Sequence, residues 1–187
     1  MFKRHLMAPL LAALAASFGV SAHAELPSAI TVAFKADSGR YLARCNNCIP
    51  GGAYPDSAFV HVSEAKLSGS PWAHFVLEKL ANGKYTLKAD SGRYLARCNN
   101  CIPGGAYPDS AFVHVPEADL PGSPWAQFTL EKLSNGRYAL KADSGNYLAR
   151  CNNCIPGGAY PDSAFVHVPP ASLPSSPWAQ WRIVILP

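Results

Sequence analysis

A unit of 53 residues runs three times through this chain with no spacer, and a fixed period of that length decides architecture before any single motif does. Lys35-Ala36-Asp37-Ser38-Gly39 returns at Lys88 and again at Lys141, so the copies occupy about 30–82, 83–135 and 136–187. Four short strands are expected in each. In the middle copy Tyr85 to Ala89 alternates, with Tyr85 and Leu87 on one face and Thr86 and Lys88 on the other. The Asp90-Ser91-Gly92 turn leads into a strand over Arg93 to Cys98, and a loop rich in Asn, Gly and Pro covers Asn99 to Ser110. Strands over Ala111 to Val115 and Trp125 to Leu133 complete the unit. At the seams, Asn82-Gly83 and Asn135-Gly136 suit a type I′ hairpin, in which both central residues take positive φ.

The third seam is split between the two ends of the chain. Ile30 to Phe34 takes the place of Tyr85 to Leu87, and Trp181 to Leu186 takes the place of Phe75 to Leu80. The first and last strands should therefore pair and close a ring, which removes exposed sheet edges. An open solenoid would call for atypical capping repeats, and neither end copy is atypical. With no helical periodicity beyond the first residues, the expectation is an all-β barrel of twelve strands in three equal blocks, with hairpin caps.

The chain opens as an export signal does. Lys3, Arg4 and His5 precede an apolar run from Leu6 to Val20, and Ala22-His23-Ala24 has the small-x-small pattern of a cleavage site. Residues 1–24 are read as a signal peptide, with the mature domain over 25–187. The run is shorter than the ~20 residues that span a bilayer, and it contains Pro9 and Gly19. Once Lys3 and Arg4 leave with the leader, 16 basic against 12 acidic residues becomes 14 − 12 = +2. No basic block remains to suggest nucleic acid, and nothing suggests membrane insertion. The expected location is secreted or periplasmic.

The residues that carry a family resemblance are Tyr-x-Leu-Lys-Ala-Asp-Ser-Gly-Arg-Tyr-Leu, preceded by Trp-Ala-x-Phe-x-Leu-Glu and an Asn-Gly turn. This pattern resembles the repeat of fascin-like β-trefoils and covers Ile30 to Leu186. The resemblance implies a β-trefoil of three repeats. Fascins bundle actin inside cells, a role that an exported protein does not inherit, and the Cys-Asn-Asn-Cys loop is foreign to the pattern. The repeated Gln-x-Trp of ricin-type trefoils is missing.

Comparison of the copies with one another locates a second constraint. Lys35 to Val62 and Lys88 to Val115 are identical over 28 residues, and Lys141 to Val168 departs only at Asn146. Ser63 to Leu87 and Pro116 to Leu140, by contrast, differ at eight of 25 positions. Identity is confined to the loop-bearing half. Loops on a rigid scaffold are where binding function usually sits, although gene conversion limited to that half would leave the same trace.

That half contains every cysteine: Cys45/Cys48, Cys98/Cys101 and Cys151/Cys154. In an exported chain they read as disulfides closed within each copy, since threefold-related loops are expected to lie far apart. A redox site would need a helix N-terminus to activate a thiol, and a zinc site could add only His61, His114 or His167 as third ligand. Trp72, Trp125 and Trp178 follow Ser-Pro at the head of a strand and read as barrel caps, and Tyr41, Tyr94 and Tyr147 read as core. Tyr54, Tyr107 and Tyr160 sit in Gly-Gly-Ala-Tyr-Pro-Asp loops with no apolar periodicity to bury them. Asp56, Asp109 and Asp162 follow, either as ligand contacts or as Asx-turns that accept backbone N–H groups, and Ser57 reads as a turn residue.

No nucleophile and oxyanion hole accompany the Asp/His pairs, so an enzyme is not expected, and nothing calls for a cofactor or metal. The leading expectation is a multivalent module that binds extracellular or cell-surface glycan. Its sites comprise Asn46, Asn47, Tyr54, Asp56 and His61; Asn99, Asn100, Tyr107, Asp109 and His114; and Asn152, Asn153, Tyr160, Asp162 and His167. The alternatives are a protein-binding or protease-inhibitor trefoil and an envelope structural or metal-binding protein.

Overall fold

Alternating apolar residues in short runs, punctuated by turn residues, fold here into twelve antiparallel strands joined in one sheet. The computed structural model describes residues 29–187, and the signal peptide expected over 1–24 lies outside them. The first copy supplies β1 (Ala29–Lys35), β2 (Tyr41–Asn46), β3 (Asp56–Val62) and β4 (Phe75–Lys79). The second supplies β5 (Tyr85–Lys88), β6 (Tyr94–Asn99), β7 (Asp109–Val115) and β8 (Thr129–Lys132). The third supplies β9 (Tyr138–Lys141), β10 (Tyr147–Asn152), β11 (Asp162–Val168) and β12 (Arg182–Ile185).

Pairing runs β12–β1–β4–β5, then through the Tyr85–Phe128 bridge to β8 and β9, and back through the Tyr138–Trp181 bridge to β12. The chain ends do meet: Val32 pairs with Ile185 and Lys35 with Arg182, as the split third seam requires. The remaining strands form three hairpins, β2–β3, β6–β7 and β10–β11, with one register and one irregularity after the first tyrosine. These hairpins touch in a triangle, through Ser57–Phe112, Ser110–Phe165 and Ser163–Phe59.

Two layers of core follow from this arrangement. Val32, Phe34, Phe75, Leu77, Leu87, Phe128, Leu140 and Trp181 fill the ring. Phe59, Phe112 and Phe165, each fully buried, meet in a second cluster under the hairpins with Ile49, Ile102 and Ile155. The tyrosines expected in the core, Tyr41, Tyr94 and Tyr147, are there. The outward face of the ring strands is buried too, because each copy lays a satellite cluster over it. Ala33, Thr86 and Ala139 are fully buried at equivalent places on that face.

Two local expectations are corrected. The strand expected over Trp125 to Leu133 is confined to Thr129–Lys132, and the segment before it is a pair of 3-10 turns, Glu117–Gly122 and Pro124–Ala126. Proline at the first position of the second turn supplies the required φ, and the turn ends after three residues, as 3-10 segments do. Nor is the seam turn type I′. Gly83 takes φ of 80°, Asn82 stays at negative φ, and Gly83 N–H donates to Leu80 O at 2.9 Å while Leu80 N–H donates to Lys84 O at 2.8 Å. This is a three-residue loop, a type I turn closed by glycine in the left-handed region. Among the described residues no helix is long and apolar enough to cross a membrane.

Thr86 yields a stability prediction. Its Oγ1 is shut off from solvent without a hydrogen-bond partner, where the other copies carry alanine. An unmet buried hydroxyl costs about 1–3 kcal/mol. Thr86→Val keeps the shape and removes the hydroxyl, so it should raise the urea midpoint, by about 1 kcal/mol or more in unfolding free energy. A lowered midpoint would show that the hydroxyl is satisfied in solution.

Candidate functional site

The site is built where one copy's loop reaches the next copy's hairpin. After β2 ends at Asn46, Asn47 enters the left-handed region at φ 55°, which asparagine tolerates, and donates its N–H to Pro55 O at 2.7 Å. Cys45–Cys48, Cys98–Cys101 and Cys151–Cys154 are disulfides within their own copies, with Cα atoms 5.7 Å apart in each. The pairing agrees with expectation, but the ground given for it does not hold. The three loops are in contact: Ala53 N–H donates to Cys101 O at 2.9 Å, Ala106 to Cys154 O at 2.9 Å, and Ala159 to Cys48 O at 3.0 Å. The disulfides share one apolar cluster around the three phenylalanines.

The acidic and amide residues expected to contact ligand bond to one another and to arginine. Asp56 Oδ1 accepts from Arg44 Nη1 at 2.9 Å and from Asn46 Nδ2 at 2.8 Å, and Asn46 Oδ1 accepts from Asn47 Nδ2 at 2.9 Å. Asp109 with Asn99 and Asn100, and Asp162 with Asn152 and Asn153, repeat the pattern. The partners of Asp56 are side chains and not backbone N–H groups, so the Asx-turn reading does not hold. That same arginine grips the following copy: Arg44 Nε and Nη2 donate to the two oxygens of Asp90 at 2.7 and 2.8 Å. Arg97 holds Asp143, and Arg150 holds Asp37, in the same way. The arginine hydrogen bonds keep Asp37, Asp90 and Asp143 below the usual carboxylate range. Ser57 is a buried strand residue whose hydroxyl donates to Cys45 O at 3.1 Å, not a turn residue.

The tyrosine and histidine expected to act together within a copy are shared across the seam. Tyr54 stacks on His114 with ring centroids 4.2 Å apart and 20° between planes, and presents its ring to the edge of Phe112. Tyr107 stacks on His167 at 4.2 Å, and Tyr160 on His61 at 4.1 Å. Each pair lines one of three open depressions, of about 390, 640 and 510 Å³ for the His61, His114 and His167 sites. At His114 the walls are Tyr54, the Cys98–Cys101 disulfide, Asn99, Arg93 and Trp125.

Trp125, together with Trp72 and Trp178, is the group that sequence reading placed wrongly. Each lines a depression and is 37 % exposed, beside tyrosines 41 % exposed. Ser-Pro ahead of the tryptophan was the available signal, since it starts a short turn and takes the ring out of phase with the buried Phe75 and Phe128. Among the described residues no group of three or more His, Cys, Asp and Glu stands together to hold a metal ion, and every cysteine sulfur is tied in a disulfide.

No protein-family model and no curated protein matches this sequence. Solved structures of similar fold exist. A Caenorhabditis elegans protein of unknown function matches with a TM-score of 0.62 at 13 % identity, over 88 % of this chain and 98 % of that one. The Haemophilus ducreyi cytolethal distending toxin matches with a TM-score of 0.55 at 11 % identity, over 82 % of each chain. A Culex quiquefasciatus salivary protein of the Cysteine and Tryptophan-Rich family matches with a TM-score of 0.52 at 15 % identity, over 86 % and 96 %. At such identities the likeness is one of fold. It is not to fascins in particular.

The stacked histidines should make the stability of this region depend on pH. Burial lowers the pKa of His61, His114 and His167, and their Nδ1 atoms are enclosed without a partner. Below the ordinary histidine value of about 6.5 the unfolded chain takes up protons that the folded chain resists. Stability should therefore fall as pH drops from about 6.5 through the lowered folded values. A second loss should follow below about 3.9, as the arginine-held aspartates protonate. Thermal melts between pH 8 and 3 at constant salt read both steps, and replacing all three histidines by glutamine should remove the first alone. A first step that persists in that variant refutes the assignment.

Proposed function

We propose that this chain is an exported β-trefoil that binds carbohydrate at three seam depressions and has no catalytic activity. One observation carries the reading: in each depression an exposed tryptophan and an exposed tyrosine stand over a wall that also bears an asparagine, and the set occurs three times. Flat aromatic faces suit the apolar C–H side of a pyranose, and a few polar groups at the rim fix its orientation. The closed ring of six strands with three hairpins against it supports the trefoil assignment. Three disulfides and a salivary protein among the structures of like fold are in keeping with export. The cysteines are oxidised, and the Ser123 and Ser176 hydroxyls at the depressions donate to the backbone carbonyls of Asp119 and Ser172, which is in keeping with sites that bind and do not react.

Open depressions of this kind hold a single sugar weakly, so strength comes from simultaneous engagement. A surface that presents many glycans raises apparent affinity over one site by roughly 10²–10⁴-fold when the spacing fits. Tyr54→Ala with Trp125→Ala removes the His114 site without touching the arginine and aspartate framework. Bound capacity for a free monovalent sugar should drop to about two thirds, and retention on a glycan-coated surface should weaken about tenfold or more. A glycan array on the mature protein identifies the ligand for this comparison. Unchanged binding by the double variant, with the fold intact by circular dichroism, would overturn the site; a silent array beside capture of one protein partner would favour the protein-binding alternative.

A further inference from the structure

The hairpin halves are identical over 28 residues apart from one position, Arg40, Arg93 and Asn146 in the three copies, and Arg93 lines the His114 depression. Arg40 and Arg93 each donate Nη1 to the carbonyl of the histidine in their own depression, to His61 O and to His114 O, both at 2.9 Å. The third copy has Asn146 there. Arg93 lines the His114 depression, so the guanidinium is part of the wall and not a distant surface charge. A second wall position varies in step. Asp119 lines the His114 depression and Ser172 the His167 depression, and the residue one period earlier is the exposed Lys66.

The three depressions thus share their aromatic residues and their arginine and aspartate framework but differ in added charge. The His114 wall has Arg93 offset by Asp119; the corresponding residues of the first copy are Arg40, bonded to the His61 carbonyl, and Lys66, and those of the third copy are the neutral Asn146 and Ser172. We infer that the sites divide their ligands by charge: the His61 depression takes an anionic sugar, bearing carboxylate or sulfate, and the His167 depression takes a neutral one. This rests on the carbohydrate reading above. Exposed charges act over about a Debye length, ~8 Å at physiological salt, so the preference is local to each site and fades as salt rises. Two added cations at an exposed rim should give roughly threefold to tenfold preference for the charged member of a matched pair of sugars at low salt.

The test has one arm that needs no sugar. In three variants, two of Trp72, Trp125 and Trp178 are changed to phenylalanine and one is kept, with buried Trp181 as a constant background. Quenching by iodide relative to caesium, normalised to neutral acrylamide, reports the potential at the remaining ring. The ratio should be highest at Trp72 and lowest at Trp178, and Asn146→Arg should raise it at Trp178. Equal ratios, or no response to Asn146→Arg, overturn the inference whatever the protein binds. In the second arm, a neutral oligosaccharide and its sulfated or uronic acid counterpart are titrated against variants that retain a single intact depression. Preference for the anionic sugar at the His61 site and not at the His167 site upholds the inference, and uronate against sulfate separates the two sources of charge. Graded quenching with equal affinity for both sugars overturns it alone. Graded quenching with no sugar bound at any site overturns it together with the carbohydrate reading.

Discussion

Arg44, Arg97 and Arg150 each hold one carboxylate of their own copy and another of a neighbouring copy, and the set closes on itself around the molecule. The side chains involved are 13–23 % exposed, too enclosed for water to replace a lost partner easily and open enough that the charges are not fully desolvated. In such a setting the value of the arrangement lies in geometry. A guanidinium presents a rigid planar fork, so gripping Asp90 with two parallel bonds fixes the angle at which the second copy meets the first. That angle delivers Tyr54 onto His114 and leaves Trp125 facing the same space. The shape of the depression depends on it.

The disulfides serve the same end by a different route. A ring closed over so few residues removes little entropy from the unfolded chain. It sets the course of the backbone after Cys48, whose carbonyl receives the Ala159 N–H, so a covalent staple in one copy fixes the acceptor on which another copy's loop rests. Beneath it the three phenylalanines supply the apolar surface that keeps the loops together. Polar fork, backbone bond and buried ring are stacked at one place, which explains how loops of glycine, proline and asparagine are held.

Much of the fold was legible because it is encoded by period. The four-strand unit and the pairing of the first and last strands follow from where one copy's residues recur in the next, while the local cysteine pairs follow from their three-residue separation. Strand ends were less legible: β3 begins at Asp56 and not after Ser57, since the arginine bond draws the aspartate into register opposite Asn46. The depressions are lined by residue types that the sequence singled out, but in partnerships that it did not show. Tyr54 lies seven positions from His61 in the chain (61 − 54 = 7) and sixty from His114 (114 − 54 = 60), yet it stacks on the latter. Identical copies make those two partners indistinguishable by sequence, and only the seam geometry separates them. The tryptophans were missed because one 3-10 turn shifts them out of the strand's alternation, a backbone detail that apolar neighbours such as Phe75 conceal.

The triangle of hairpins has a bearing on how such a sequence can change. Each hairpin touches two copies of itself, head to tail, which is the contact geometry of a cyclic homotrimer made within one polypeptide. In an assembly encoded by one gene, a substitution enters every subunit at once and can be matched by its own copies. Here it enters one corner of three and faces two unaltered neighbours, so a change that would be self-compatible in an oligomer meets two mismatched surfaces instead. Residues of the hairpins are thereby held to near uniformity, while the segments that lie over a single copy are free to diverge. The single departure, Asn146, lies in the turn before β10 and outside the paired Ser and Phe positions that join the hairpins, and that is where a symmetric body can become three different faces.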